Sequence, residues 1–325
     1  MKPPKVSILI PTYNFARYLP EAIESVLQQE YQDYELLVVD DGSRDNSAEV
    51  IKSLAQRDPR VQFKINTPNL GMVQNWNHCL SLARGEYIKY IFGDDKFDTP
   101  QALGKMVAML DREPGAVMAV SARKLIDENS RWIDTWDHLG DAGLQNGKEA
   151  IIRCIVKDHN LIGEPSVVLF RKAGAARGFN LKYRQIVDME MWFHLLEQGG
   201  LVYTRETLCC FRQHPQQQTA VNNANQIGQS ERLLLLKDCS KNKWLAEDAP
   251  PKTRMSMVYS FRKIPRTPEV QAIKKTYLTG ISASTWHFYW LRRKLTRPFE
   301  NAKKSIHKRV RGGEQSVEIF KKRPK

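Results

Sequence analysis

The sequence predicts an α/β fold built on a mainly parallel, Rossmann-like sheet with helices on both faces, followed by a helical, basic C-terminal extension. Three observations carry this prediction. Short β-branched runs alternate with segments of helical periodicity through the first hundred residues. Polar clusters follow the ends of three of those runs. The basic residues are crowded into the last third of the chain.

Each element has its own signal. VSILI (6–10) reads as a buried strand, and Leu19, Ala22, Ile23, Val26 and Leu27 then recur at helical spacing, with Pro20 and Glu21 suited to a first turn. ELLVV (35–39) is the next strand. Asp45, Asn46 or Ser47 can cap a second helix through Ile51 and Leu54, and VQFKI (61–65) follows. A third helix is expected from about Val73 to Ala83, and YIKYIF (87–92) is the fourth strand. Beyond it, AVMAV (116–120), SVVLF (166–170) and GLVY (200–203) read as strands and Met189 to Leu196 as a helix. Proline punctuation at 249–251 and 265–268 marks a change of character. The expected organisation is a domain over 1–230, with a nucleotide-binding half (1–100) and an acceptor half (101–230), and a basic helical extension over 231–325.

Right-handed crossovers place the carboxyl ends of parallel strands on one edge, where open α/β sheets bind ligands. PTYN (11–14), DDGS (40–43) and GDD (93–95) all follow strand ends, so they are expected to meet in one crevice.

Composition narrows the class. A chain of 325 residues, 42% hydrophobic and 26% charged, suits a soluble globular protein. No stretch approaches the roughly 20 apolar residues of a spanning helix, and the run at 6–10 is too short for a signal peptide, so a cytoplasmic location is expected. The cysteines, Cys79, Cys154, Cys209, Cys210 and Cys239, form no CxxC pair and read as core residues. From Glu231 onward there are 24 Lys and Arg against 8 Asp and Glu, which leaves residues 1–230 slightly acidic.

No GxGxxG follows the first strand, and GxxxxGK[ST], HExxH and GxSxG are absent. What remains at the expected edge is one aromatic and a set of carboxylates. Tyr13 can stack on a base, an Asp past a strand end can accept from a base N–H or ribose hydroxyls, and Asp94 and Asp95 are hard oxygen donors suited to Mg²⁺ or Mn²⁺ with phosphates. Together they describe a site for a nucleotide-activated donor.

The segment VSILIPTYNFARYLPEAIESVLQQEYQDYELLVVDDGSRDNS resembles the opening of the inverting family 2 glycosyltransferases of the GT-A fold. NTPNLGMVQNWNHCLSLARGEYIKYIFGDD is similar to the stretch leading into their metal motif. The resemblance covers about residues 5–215 and implies a nucleotide-sugar donor, with UDP the default and GDP and dTDP fitting the same contacts, and a divalent metal. It implies that Pro11 and Tyr13 flank the nucleoside, that Asp40 and Asp41 contact ribose and base with Asp41 on the base, and that Asn77 lies beside the donor. Asp94 aligns with the metal-ligating carboxylate and with the nucleotide, with Asp95 beside it. The family's first motif carboxylate is replaced by Phe92. Asp188 in RQIVDMEMWFHLL aligns with the general base, Glu190 being the alternative. Arg212 and His214 in FRQHPQQQT are implied near the diphosphate or acceptor, and Glu164 near the acceptor.

The tail segment TYLTGISASTWHFYWLRRKLTRPF interleaves aromatics with Arg292, Arg293, Lys294 and Arg297, which suits an interfacial helix on anionic lipid. The expected partners are therefore a nucleotide-sugar donor, a glycan or lipid-linked sugar acceptor, and an anionic membrane at the inner face, with no nucleic acid. Two other readings stay open: a catalytically degenerate domain whose basic tail binds membrane or nucleic acid, and a sugar nucleotidyltransferase, which would want a basic glycine-rich loop where PTYNFARYL stands.

Overall fold

The structure, a computed structural model, describes residues 2–218, 222, 227–261, 264 and 266–296. Tertiary contacts divide the chain into two compact units, Met1–Leu235 and Leu236–Lys325.

The first unit opens with β1 (Val6–Thr12), α1 (Leu19–Leu27), β2 (Tyr34–Asp40), α2 (Ser47–Arg57), β3 (Val61–Ile65), α3 (Met72–Leu82) and β4 (Tyr87–Tyr90). Strands β3, β2, β1 and β4 lie side by side in that order, all parallel. β1 is buried along its whole length because sheet neighbours flank it and helices cover it, which is why its sequence is an apolar run without alternation. The edge strand β3 instead exposes Phe63. Helix α1 buries Leu19, Ala22, Ile23 and Val26, the stripe its spacing predicts. The start of α2 is held by Asp45, whose Oδ1 accepts from the Ser47 N–H at 3.0 Å and from the Ser47 hydroxyl at 2.5 Å.

The remainder of the sheet is mixed. β5 (Lys96–Phe97), α4 (Ala102–Arg112), β6 (Ala116–Ile126), β7 (Trp132–Trp136), β8 (Gly143–Gln145), α5 (Gly147–Lys157), β9 (Val168–Arg171), α6 (Val187–Leu196) and β10 (Gly200–Arg212) follow. β9 inserts antiparallel between β4 and β6, β10 runs parallel to β6, and β5, β7 and β8 add antiparallel edges. The sequence reading did not foresee β5, β7 and β8, which are short, or helices α4 and α5. β7 is largely exposed, so no burial pattern marks it. Helix α5 has a clear start signal in Asn146, whose side chain accepts from the Glu149 N–H. All five cysteines are buried.

The helix α7 (Ile227–Cys239) leads into α8 (Lys243–Ala246), α9 (Pro251–Ser260) and α10 (Pro268–Tyr277), and residues 283–296 are helical. Within the second unit, buried Arg254 donates to the carbonyls of Ala246, Tyr277 and Thr279, gathering the ends of two helices and the turn that follows. On the 283–296 helix, Tyr289 stacks on Trp286 and meets the Ser256 hydroxyl at 2.6 Å. The opposite stripe, Phe288, Leu291 and Leu295, is exposed, with Arg292 and Lys294 exposed beside it. Arg297 of the expected basic cluster lies outside the described residues. No described helix is long and apolar enough to cross a membrane.

Candidate active site

The crevice forms at the carboxyl ends of β1, β2 and β4. The Asp41 N–H donates to the Thr12 carbonyl at 2.9 Å, and the Asn14 N–H donates to the Ser43 hydroxyl at 2.8 Å, so the first two polar stretches are joined. The third passes so close that a Cβ on Gly93 would lie 2.7 Å from Thr12 Oγ1 and 3.2 Å from the Phe15 ring. Only glycine fits there, and this brings Asp94 beneath the β1 loop. Tyr13 stands exposed at the rim, beside buried Pro11.

The paired carboxylates have local duties. Asp41 accepts from the Leu70 and Gly71 N–H groups and from the Asn66 amide, each at 2.8–2.9 Å, and so holds the loop that starts α3. Its negative charge satisfies amide groups at that helix's N-terminus. Asp40 accepts from the Ser43 backbone N–H and hydroxyl. Burial pushes Asp40 above the usual carboxylate range. A carboxylate offers about four lone-pair directions, so each of these retains capacity for a further donor.

A denser cluster surrounds Asp94. His214 Nε2 lies 3.0 Å from Asp94 Oδ2, and its ring is packed between Phe15 and Tyr18, with centroids at 5.8 and 5.0 Å. His214 Nδ1 lies 3.2 Å from Gln216 Oε1. With the proton on Nδ1 donated to that oxygen, Nε2 turns a lone pair toward a carboxylate, an arrangement that a shared cation satisfies. Asp95 Oδ1 accepts from the Arg212 N–H at 2.9 Å, while its buried Oδ2 takes no hydrogen bond. Burial and the adjacent Asp94 raise Asp95 well above the usual range. These features fit a hard divalent cation, with Asp94 and His214 as protein ligands and substrate oxygens completing the shell. Among the described residues no cluster of three metal-ligating side chains exists.

Asp188 occupies the first turn of α6, where Oδ2 accepts from the Asn160 amide at 2.9 Å and Oδ1 from the Met189 N–H at 2.7 Å. Burial, and then the negative charge of Glu164, push it up to about 7. Glu164 also bears on Asp95, so it stands electrostatically between the Asp94 cluster and Asp188. Its own counter-charge is buried Arg123, Nε to Oε2 2.7 Å.

Residues 7–177, just over half of the chain, match the description "Glycosyl transferase family 2". The chain belongs to glycosyl transferase family 2. It spans between 30% and 66% of the length of the first relatives it matches. The glycosyltransferase EpsE of Bacillus subtilis, itself described as putative, is 40% identical over 110 residues, 34% of this chain and 39% of that protein. TuaG of the same organism, described as a putative teichuronic acid biosynthesis glycosyltransferase, is 25% identical over 203 residues, 62% of this chain and 75% of that one. Among solved structures, Staphylococcus aureus TarS 1-349 in complex with UDP-GlcNAc superposes with a TM-score of 0.62 at 14% identity, covering 89% of this chain and 79% of that one. The mannosyltransferase PcManGT of Pyrobaculum calidifontis, in complex with GDP-Man and Mn²⁺, gives 0.55 at 14%, covering 92% and 88%. These likenesses show the GT-A fold.

Three of the candidate residues are held by contacts elsewhere in the fold. The Asn77 amide donates to the Phe179 carbonyl at 2.9 Å and accepts from the Phe179 N–H at 2.7 Å, and Asn77 lines a cavity with Lys5 and Arg171. Arg212 does not reach toward a diphosphate. Its guanidinium is committed to the Asp94 and Asp127 carbonyls, the Ser130 hydroxyl and Glu21, and it lies over the Tyr18 ring, so it sets the backbone of the acidic motif from behind. Glu190 faces Arg177 at 3.0 Å and is engaged there.

Phe92 stacks on Trp76 at 4.8 Å between centroids, an apolar contact two residues before Asp94. Several supporting residues escaped the sequence reading. Ser166 accepts from the Phe92 N–H, Asn160 orients Asp188, and Glu21 had been read only as a helix-start residue. Their partners lie 28 to 191 residues away, beyond any local signal.

Proposed function

We propose that this enzyme transfers a sugar from a nucleoside-diphosphate donor to an acceptor hydroxyl with inversion at the anomeric carbon, and that Asp188 is the general base. The observation that carries this reading is Asp188 itself. A carboxylate held near 7 by burial and a neighbouring charge, and oriented by Asn160, is matched to accepting a hydroxyl proton at neutral pH. The acceptor oxygen attacks the anomeric carbon as its proton passes to Asp188, and the bond to the diphosphate breaks with the electron pair leaving on the diphosphate. No covalent enzyme–sugar species is required. A divalent cation, when bound, would neutralise charge on the departing diphosphate, and Asp94 and His214 are the residues that would hold it. Asp40, Asp41, Pro11 and Tyr13 bound the space for the nucleoside.

The donors named for the two solved relatives, UDP-GlcNAc and GDP-Man, support a nucleotide-sugar without choosing the base. The likeness to TuaG, described as a putative teichuronic acid biosynthesis glycosyltransferase, supports an acceptor in cell-surface polysaccharide or glycolipid synthesis. A hexosyl donor and a lipid-linked acceptor would suit the exposed Phe288–Leu291–Leu295 stripe and its cations, which fit the inner, anionic face of a membrane. The experiment is calorimetric titration with UDP, GDP and dTDP, with and without Mn²⁺, on the full chain and on Asp94→Ala. Metal-dependent binding of one nucleotide, lost in the variant, is expected. Binding of none would return the domain to a degenerate scaffold.

A further inference from the structure

Beside Asp188 and Glu164, three aromatic rings are left open to solvent. Trp136, at the end of β7, stacks on His138 with centroids 5.4 Å apart and an interplanar angle of 29°. His138 meets His159 edge-on at 5.5 Å. His138 and His159 are exposed and Trp136 is only partly covered, unlike the fully buried Trp192 of the core. The cluster is tied to the proposed base by two routes. Arg123 lies over the Trp136 ring at 4.9 Å while pairing with Glu164, the charge that bears on Asp188. His159 immediately precedes Asn160, whose amide holds Asp188.

We propose that Trp136, His138 and His159 form the platform on which the ring of a neutral acceptor saccharide lies, with Glu164 accepting one of its hydroxyls. This rests on the reading of Asp188 as the base that the acceptor must reach. A pyranose presents an apolar C–H face and a polar rim of hydroxyls. Exposed aromatic faces bury the former, and imidazole nitrogens with a carboxylate serve the latter. Desolvation of the ring faces turned into the cluster, and then the charge of Arg123, keep both imidazoles below their ordinary range, so each ring carries one donor and one acceptor nitrogen, matched to hydroxyl groups. The charge balance argues against an anionic acceptor ring at this point: Arg123 is already spent on Glu164, Arg232 near His159 pairs with Asp158 at 3.3 Å, and Asp137 and Asp188 add negative charge. The loop carrying His138 is fixed in place. Arg153 donates to the Leu139 carbonyl at 2.6 Å, and Gln145 donates to the Asp141 carbonyl at 2.6 Å, so the platform is formed before any ligand arrives.

The test is retention of the full-length protein on an array of immobilised neutral oligosaccharides, run beside nucleotide calorimetry on the same samples. Wild type is expected to be retained on at least one saccharide. Trp136→Ala should weaken that signal about tenfold, the scale of one lost aromatic contact, while Trp136→Phe keeps most of it and nucleotide binding is unchanged. His138→Ala carries the same comparison if Trp136→Ala fails to fold. Equal retention of wild type and both alanine variants, or no retention of wild type on any neutral saccharide, overturns the platform. Failure of the donor reading shows separately, as absent nucleotide binding by wild type.

Discussion

Asp94 and His214 meet at 3.0 Å although 120 residues separate them in the chain, and the imidazole packs against the rings of Phe15 and Tyr18. Replacing His214 by Ala should therefore abolish the Mn²⁺-dependent part of nucleotide binding as Asp94→Ala does, while leaving metal-independent binding in place. The readout is the difference between titrations with and without Mn²⁺. An unchanged difference in His214→Ala would remove the histidine from the cation site.

The raised Asp188 has a pH signature. The base acts only when deprotonated, so kcat/KM should climb with an apparent pKa of about 7 and level off above it. In Glu164→Gln a neighbouring negative charge is gone, Asp188 ionises more readily, and the rising limb should move to lower pH. A limb that stays in place would mean that burial alone sets the shift.

The same shift costs stability. Because the folded state favours the protonated carboxyl, the folded protein binds more protons than the unfolded chain between about pH 4 and about 7, and stability falls as pH rises through that window. Asp188→Asn should flatten this fall, measured as urea midpoints across pH.

Asp41 bears on folding as well as on the proposed donor pocket. Its substitution by Ala strands the Leu70 and Gly71 N–H groups at the start of α3, with an expected loss of about 1–3 kcal/mol in urea unfolding. A variant of wild-type stability would contradict the structural duty assigned to it.

The exposed stripe on the 283–296 helix predicts lipid binding. Changing Phe288, Leu291 and Leu295 together to Ser removes three side chains, each contributing about 1.5–3 kcal/mol when buried, and sedimentation with anionic vesicles should fall by at least about tenfold. Equal sedimentation of the two proteins would assign the stripe another role.

The parallel half of the sheet was legible because β1, β2 and β4 are buried on both faces and therefore written as apolar runs. The crevice followed from it, since strand direction alone places residues 11–14, 40–43 and 93–95 on one edge. The second half was harder to read. β7 is exposed and β5 and β8 are too short for periodicity to register. Residue chemistry was also clearer than residue duty. Asp41, Asn77 and Arg212 have the polar groups of ligand contacts, yet each is bonded to backbone of a distant segment, and only tertiary structure shows where those bonds go. The aromatic cluster at 136, 138 and 159 left no trace in the sequence because its members come from a strand end, a loop and the segment after α5.

The most direct test of the account is turnover of nucleotide-sugars by Asp188→Asn, followed as release of nucleoside diphosphate with Mn²⁺ present and compared with nucleotide affinity in the same variant. The account predicts a loss of about 10²-fold to 10⁴-fold in turnover, the range for removing a general base, with affinity unchanged. Wild-type turnover in Asp188→Asn, or parallel loss of turnover and affinity, would contradict it.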